Sequence, residues 1–228
     1  MKTKLLIAMM FFNLLFGNAA DENDWADKAR YARTNMELCS QEADPLRTVL
    51  MGNSITEDWF DTHPFFFKAH HLVGRGIGGQ VSSQMLVRFR QDVINLNPRV
   101  VVINCGTNDI AENNGPYNED ITMDNIQSMA ELARAHGIIV VLSSVLPCDR
   151  FCWNTSVTDV VSKIGSLNAR IAAYAAAQQI PYLDYYSPMA TLDGALNPAY
   201  TMDGVHPNSD GFLVMEERLI DLLEKLNP

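Results

Sequence analysis

The 228-residue sequence is short of basic residues: 17 Lys and Arg stand against 27 Asp and Glu, for a net charge of −10 and a pI near 4.8. Such a surface repels phosphate backbones, which argues against nucleic acid as a partner. Long apolar runs are also missing. The most prominent, Leu5 to Phe16, falls below the about 20 residues a membrane-spanning helix needs. Cysteine is sparse, at four residues, and none directly follows that run, so a lipoprotein anchor has no attachment point. No C-x-x-C pair or Cys/His ligand spacing occurs, so no zinc site is expected. There are no internal repeats, and no Pro-, Gly- or Ser-rich linker divides the chain. With 47% apolar and 19% charged residues, the composition excludes wholesale disorder and suits one domain with a substantial core.

What is present at the N-terminus reads as a targeting segment. Lys2 and Lys4 precede the apolar run, and the small residues Gly17-Asn18-Ala19-Ala20 follow it. That order matches a secretory signal peptide over residues 1–20, cleaved near Ala19/Ala20, ahead of a domain over residues 21–228. The expected destination is the periplasm or the medium, with no stable membrane anchor. An oxidising compartment permits disulfides among Cys39, Cys105, Cys148 and Cys152 in three connectivities. Cys148 and Cys152 are near enough to bridge within one loop, and Cys105 suits a buried small hydrophobe.

Four continuous apolar runs read as strands buried on both faces: Thr48–Met51, Val100–Asn104, Ile138–Leu142 and Ile180–Leu183. Helical spacing appears between them, in Val81, Met85, Phe89 and Val93, then Met123, Ile126, Met129 and Ala133, then Val160, Ile164, Leu167 and Ile171. Phe212, Met215, Leu219 and Leu222 mark a last helix, and Trp25, Tyr31 and Leu38 predict an outer amphipathic helix within residues 21–47. This alternation predicts one α/β domain with a parallel sheet between helices.

In an open parallel sheet, ligands bind beyond the carboxyl ends of the strands. Four polar turns fall at that edge: Gly52-Asn53-Ser54-Ile55-Thr56, the glycine-rich 74–79, Gly106-Thr107-Asn108-Asp109 and Asp203-Gly204-Val205-His206-Pro207. Together they hold the parts of acyl transfer. A serine hydroxyl needs a positioned base to become a nucleophile, and His206 suits that task. Asp203 can orient the imidazole and stabilise its charged form. The backbone N–H groups of Ser54 and Gly79 and the Asn108 side chain are candidate oxyanion donors, with Gly78 adjacent to Gly79. Each turn has an ordinary structural reading. Ser54 suits a turn or N-cap, Asp203-Gly204 a turn, Asn108 a cap, and Asp109 and Asp184 structural hydrogen bonds. The histidines His63, His70 and His71, near Phe65 to Phe67, read as surface or packing residues, and His136 as a helix-end residue. The glycine-rich segment matches neither nucleotide-binding pattern well. It is the ordered combination that points to chemistry.

The four blocks resemble those of the SGNH, or GDSL-type, hydrolases, over nearly all of residues 45–215. The resemblance implies a three-layer α/β/α sandwich, flavodoxin-like, with a parallel five-stranded sheet. It also implies ester hydrolysis without a metal or organic cofactor, with Ser54 as nucleophile, His206 as base, Asp203 as its acid partner, and Ser54, Gly79 and Asn108 as the oxyanion hole. One departure is Asn53, where many members carry Asp; an acceptor oxygen is retained and the charge lost. The expected substrate is a small-molecule or glycan ester, most simply a short acyl group such as acetyl on a carbohydrate. Longer acyl chains, as for a lysophospholipase or thioesterase, and a non-catalytic carbohydrate binder are the alternatives. The loop 147–159, with Phe151 and Trp153, is expected to border the substrate pocket. The α/β-hydrolase elbow fits poorly, because Thr56 stands where G-x-S-x-G needs its last glycine.

Overall fold

The computed structural model describes residues 24–226, so the expected signal segment lies outside the described residues. Five strands, β1 (Thr48–Gly52), β2 (Leu72–Gly76), β3 (Val100–Ile103), β4 (Ile139–Ser143) and β5 (Tyr182–Leu183), form one all-parallel sheet in the order β2-β1-β3-β4-β5. The helices are α1 (Ala32–Cys39), α2 (Ser54–Thr62), α3 (Pro64–Ala69), α4 (Ser82–Asp92), α5 (Thr107–Ile110), α6 (Glu119–Ala135), α7 (Val160–Ala177), α8 (Tyr186–Met189) and α9 (Ser209–Leu226).

Both faces of the sheet are covered, which explains why the strands are apolar without alternation. On one face Val49, Met51, Val101, Ile103, Val140 and Leu142 pack against α4, α6 and α7 through residues such as Met85, Phe89, Met123, Ile126, Ile164 and Leu167. On the other, Leu50, Val100, Val102 and Val141 pack against α2, α3 and α9 through Ile55, Trp59, Phe67, Phe212, Met215 and Leu219. At the centre of this second layer the Trp59 ring stacks on Phe212, centroids 6.0 Å apart, and meets Phe67 edge-on at 5.4 Å. The result is the three-layer sandwich. Its strand order reverses at β1 and β3, so the crevice that receives ligands opens where those two strands end.

Two expectations need correction. Among the described residues of that stretch, 24–47, only Ala32–Cys39 is helical, and Trp25 and Tyr31 precede the helix. Asp24 turns the chain there, its carboxylate accepting the Ala29 N–H at 3.0 Å, and Asp27 takes a left-handed backbone (φ +48°). The second correction concerns the glycine-rich segment, whose first half is strand β2 rather than turn. Glycine is a poor strand former, but here it permits close packing. A Cβ at Gly76 would sit 2.3 Å from the Glu57 backbone nitrogen, and one at Gly74 would sit 3.0 Å from Phe60. The first turn of α2 therefore lies directly on this edge strand. The four cysteines are unpaired: Cys105 and Cys148 buried, Cys39 and Cys152 exposed.

Candidate active site

Ser54 is the first residue of α2, immediately after β1 and the N-cap residue Asn53. The buried Asn53 side chain accepts the Ile55 N–H at 3.1 Å, so the acceptor oxygen kept in place of a carboxylate is used as a helix cap. As the first N–H of the helix, that of Ser54 has no intrahelical partner. The Ser54 hydroxyl points across the crevice to His206, with Oγ 2.9 Å from Nε2. The other ring nitrogen of His206, Nδ1, lies 2.6 Å from Asp203 Oδ2. Residues 152 apart in sequence thus form one continuous line of hydrogen bonds.

The Asp203–His206 loop is shaped by its own polar groups. Asp203 Oδ1 accepts the N–H groups of Val205 and His206 at 2.9 and 2.8 Å, and the Thr201 hydroxyl donates to the His206 carbonyl at 2.7 Å. Gly204 has φ +86°, a conformation glycine adopts without the Cβ penalty, and buried Val205 anchors the loop in the core. Partial burial alone would push the Asp203 carboxyl up. The hydrogen bond from the His206 ring, then those from the His206 and Val205 amides, outweigh it and hold the carboxyl down at about 2. The acid therefore stays charged across the neutral and mildly acidic range.

The glycine segment runs beside the serine: a Cβ at Gly78 would lie 3.9 Å from Ser54 Cβ. The two neighbouring amides differ in their partners. The Gly78 N–H donates to Glu57 Oε2 at 2.7 Å, and Glu57 is in turn paired with Arg30. Among the described residues the Gly79 N–H meets no acceptor, and Gly79 itself is left-handed at φ +75°. Buried Asn108 gives one amide hydrogen to the Gln80 carbonyl at 3.0 Å, which leaves its second hydrogen without a described acceptor. Three donors, on Ser54, Gly79 and Asn108, are thereby without a described acceptor.

Several supporting residues were not singled out by the sequence. Asn113 donates to both the Gly79 carbonyl (3.2 Å) and Asn108 Oδ1 (3.1 Å), and accepts from Trp153 Nε1 at 2.9 Å. Arg88, fully buried, donates to the carbonyls of Gly52 and Arg75 at the ends of β1 and β2, to Gln80 Oε1, and to Asp92 at 2.9 Å. It ties the serine turn to the glycine segment. A signal for Arg88 was available: Val81, Met85, Arg88 and Asp92 share one helical stripe, so a charged pair sits on an apolar face. For Asn113 only the Asn-Asn-Gly turn was readable. Asp109 and Asp184 hold local structure as expected, accepting from the Ser82 N–H and the Ser187 N–H respectively. His63 bridges Glu216 (2.5 Å) and Ser209 (2.7 Å), linking α9 to the end of α2. In the loop after β4, Phe151 is buried while Trp153 is half-exposed, its ring centroid 6.2 Å from that of His206. Among the described residues no group of three or more His, Cys, Asp or Glu side chains is placed to hold a metal ion.

A parallel sheet with this crevice and this line of hydrogen bonds defines a class, and sequence comparison names it. The chain belongs to the GDSL-like lipase/acylhydrolase family, whose profile matches residues 50–213. Membership implies a hydrolase acting on esters. Among solved structures, the chain is similar to a candidate acylhydrolase of Bacteroides fragilis, with 56% identity and a TM-score of 0.88 over 90% of this chain and 99% of that one. It is also similar to a GDSL-like lipase of Bacteroides thetaiotaomicron, with 54% identity and a TM-score of 0.86 over 88% of this chain and 98% of that one. An uncharacterised lipoprotein, YqeF of Bacillus subtilis, is 32% identical over 79 residues, a segment covering 33% of this chain and 32% of that protein.

Proposed function

We propose that the protein is an exported serine esterase that removes short acyl groups, acetyl above all, from carbohydrates. The line Ser54 Oγ–His206 Nε2–Asp203, at 2.9 and 2.6 Å, is the observation that carries this reading. In the proposed reaction Ser54 Oγ attacks the ester carbonyl while His206 Nε2 takes its proton. The Ser54 and Gly79 N–H groups and the second Asn108 amide hydrogen receive the negative oxygen. Collapse of the tetrahedral intermediate breaks the bond to the alcohol, which leaves with the proton from His206. Water then attacks acyl-Ser54, again losing a proton to His206, and the acid departs as Ser54 recovers its proton. Asp203 holds the imidazole in the tautomer with hydrogen on Nδ1 and stabilises the imidazolium in both steps.

Support for a short acyl group on a bulky alcohol comes from how open the crevice is. Ser54 is half-buried, and the His206 and Asp203 side chains are 29% and 40% exposed. Export rests on the order of charge, apolar run and small residues within residues 1–20. No helix of the described residues is long and apolar enough to cross a membrane.

Initial rates on p-nitrophenyl esters from acetate to palmitate, for the wild type and Ser54→Ala, test the reading. It predicts highest kcat/KM on acetate and a loss of about 10³-fold or more in the variant. A long-chain optimum would replace the substrate class, and equal rates in the two proteins would remove Ser54 from the reaction.

A further inference from the structure

Three tryptophans occur in the chain, and only Trp59 is buried in the core. Trp25 and Trp153 are 49% and 44% exposed. They come from distant parts of the sequence yet end on the same turn. Trp153 Nε1 donates to Asn113 Oδ1 at 2.9 Å, and Trp25 Nε1 lies a longer 3.5 Å from Asn114 Oδ1. The turn itself is fixed by left-handed backbone at Glu112 (φ +59°) and Gly115 (φ +108°). A side chain is disfavoured in that conformation at Glu112, so the surrounding structure imposes it. Buried Phe151 lies 5.2 Å from Trp153, centroid to centroid, and the His206 ring 6.2 Å, while Trp153 itself stays 44% exposed.

A single exposed aromatic needs no explanation. Two exposed indoles whose one polar atom faces neighbouring asparagines of the same surface turn are a different matter, because the N–H is taken up by the turn and the ring face is left to solvent. What remains for a ligand is an apolar ring face bordered by amide groups. That pairing suits a molecule with one face of C–H bonds and a rim of hydroxyls, which describes a pyranose ring. A fatty acyl chain would cover the Asn114 amide, whose hydrogens have no described acceptor, without satisfying it, at a desolvation cost.

We infer that Trp25 and Trp153, with Asn113 and Asn114 between them, form a platform for the pyranose rings of an oligosaccharide ester. Trp153 takes the ring that carries the scissile ester, and Trp25 takes a ring further along the chain. This inference rests on the reading of Ser54 as the nucleophile. Asn113 adds a link between the two, since the side chain that positions Trp153 also holds Gly79 and Asn108.

The test compares kcat/KM on chemically acetylated tetraoses of xylose, mannose and N-acetylglucosamine with that on p-nitrophenyl acetate. In Trp25→Ala and Trp153→Ala the ratio of tetraose to p-nitrophenyl acetate is expected to fall about tenfold for at least one sugar, mainly through KM. Trp25→Phe should restore most of it, because the ring face and not the N–H is used. Titrating the unmodified tetraoses into Ser54→Ala while following tryptophan fluorescence gives a second reading without altering either indole. Saturable quenching by one of them is expected. Ratios unchanged for all three sugars, or no quenching at millimolar tetraose, would overturn the platform. An acetate rate that does not depend on Ser54 would instead overturn the reading beneath it.

Discussion

At the scale of single residues, Asp203 has the strongest electrostatic signature in the crevice. Its carboxyl is held at about 2, and its largest stabilising partner is the His206 ring. A carboxylate lowered on folding adds stability above the ordinary carboxylate range, and that contribution disappears as the pH falls toward 2. In thermal unfolding from pH 7 to pH 2, Asp203→Asn should therefore unfold at a lower temperature than wild type near neutrality. The two curves should converge as the wild-type carboxyl takes up its proton. On the proposed mechanism the same variant loses about 10³–10⁴ in kcat, since the amide disfavours the productive imidazole tautomer. Normal kcat in Asp203→Asn would contradict that role. The Asn53 oxygen caps α2 by accepting the Ile55 N–H, a role that needs an acceptor and no charge.

At the scale of elements, the turn over residues 111–115 organises the crevice more than its sequence suggests. Exposed Asn113 joins the Gly79 carbonyl, the Asn108 side chain and the Trp153 indole, so three segments share one amide. Asn113→Leu removes all three hydrogen bonds without leaving a buried cavity. It should lower kcat by about 10- to 100-fold, as expected when donors lose their positioning, with a urea midpoint close to wild type. An unchanged kcat on p-nitrophenyl acetate would show that Gly79 and Asn108 hold their places without it. The elements differ in how readable they were. β1, β3 and β4 announce themselves because both faces are buried. β2 hides behind Gly74 and Gly76, which serve close approach to α2 rather than strand propensity. Helix α2 hides for a related reason: its start, Gly-Asn-Ser, has turn chemistry, and its buried Trp59 belongs to a layer completed only by α9.

At the scale of the molecule, the crevice exists because the strand order reverses between β1 and β3. Ser54 follows one of those strands and Asn108 the other, so chain order and sheet order together place the parts. Local pattern could predict a strand–helix alternation and mark polar turns at strand ends. The meeting of Ser54, His206 and Asp203 was legible from the four blocks in order. In the supporting network only Arg88 left a trace, as a charged pair on an apolar helical stripe; the contacts of Gln80 and Asn113 left none, because long-range hydrogen bonds to and from backbone carbonyls leave no spacing in the sequence. The acidic surface, at −10 overall, disfavours anionic partners and is compatible with a neutral glycan ester.

The proposed mechanism depends most on Ser54 Oγ being the atom that bonds the acyl carbon. Treating the wild type with a fluorophosphonate, then measuring intact mass and mapping the modified peptide, addresses this directly. One adduct per chain, located on Ser54, absent in Ser54→Ala and formed far more slowly in His206→Ala, is the predicted result. An esterase that hydrolyses p-nitrophenyl acetate yet gains no adduct, or carries it on another residue, would contradict the mechanism.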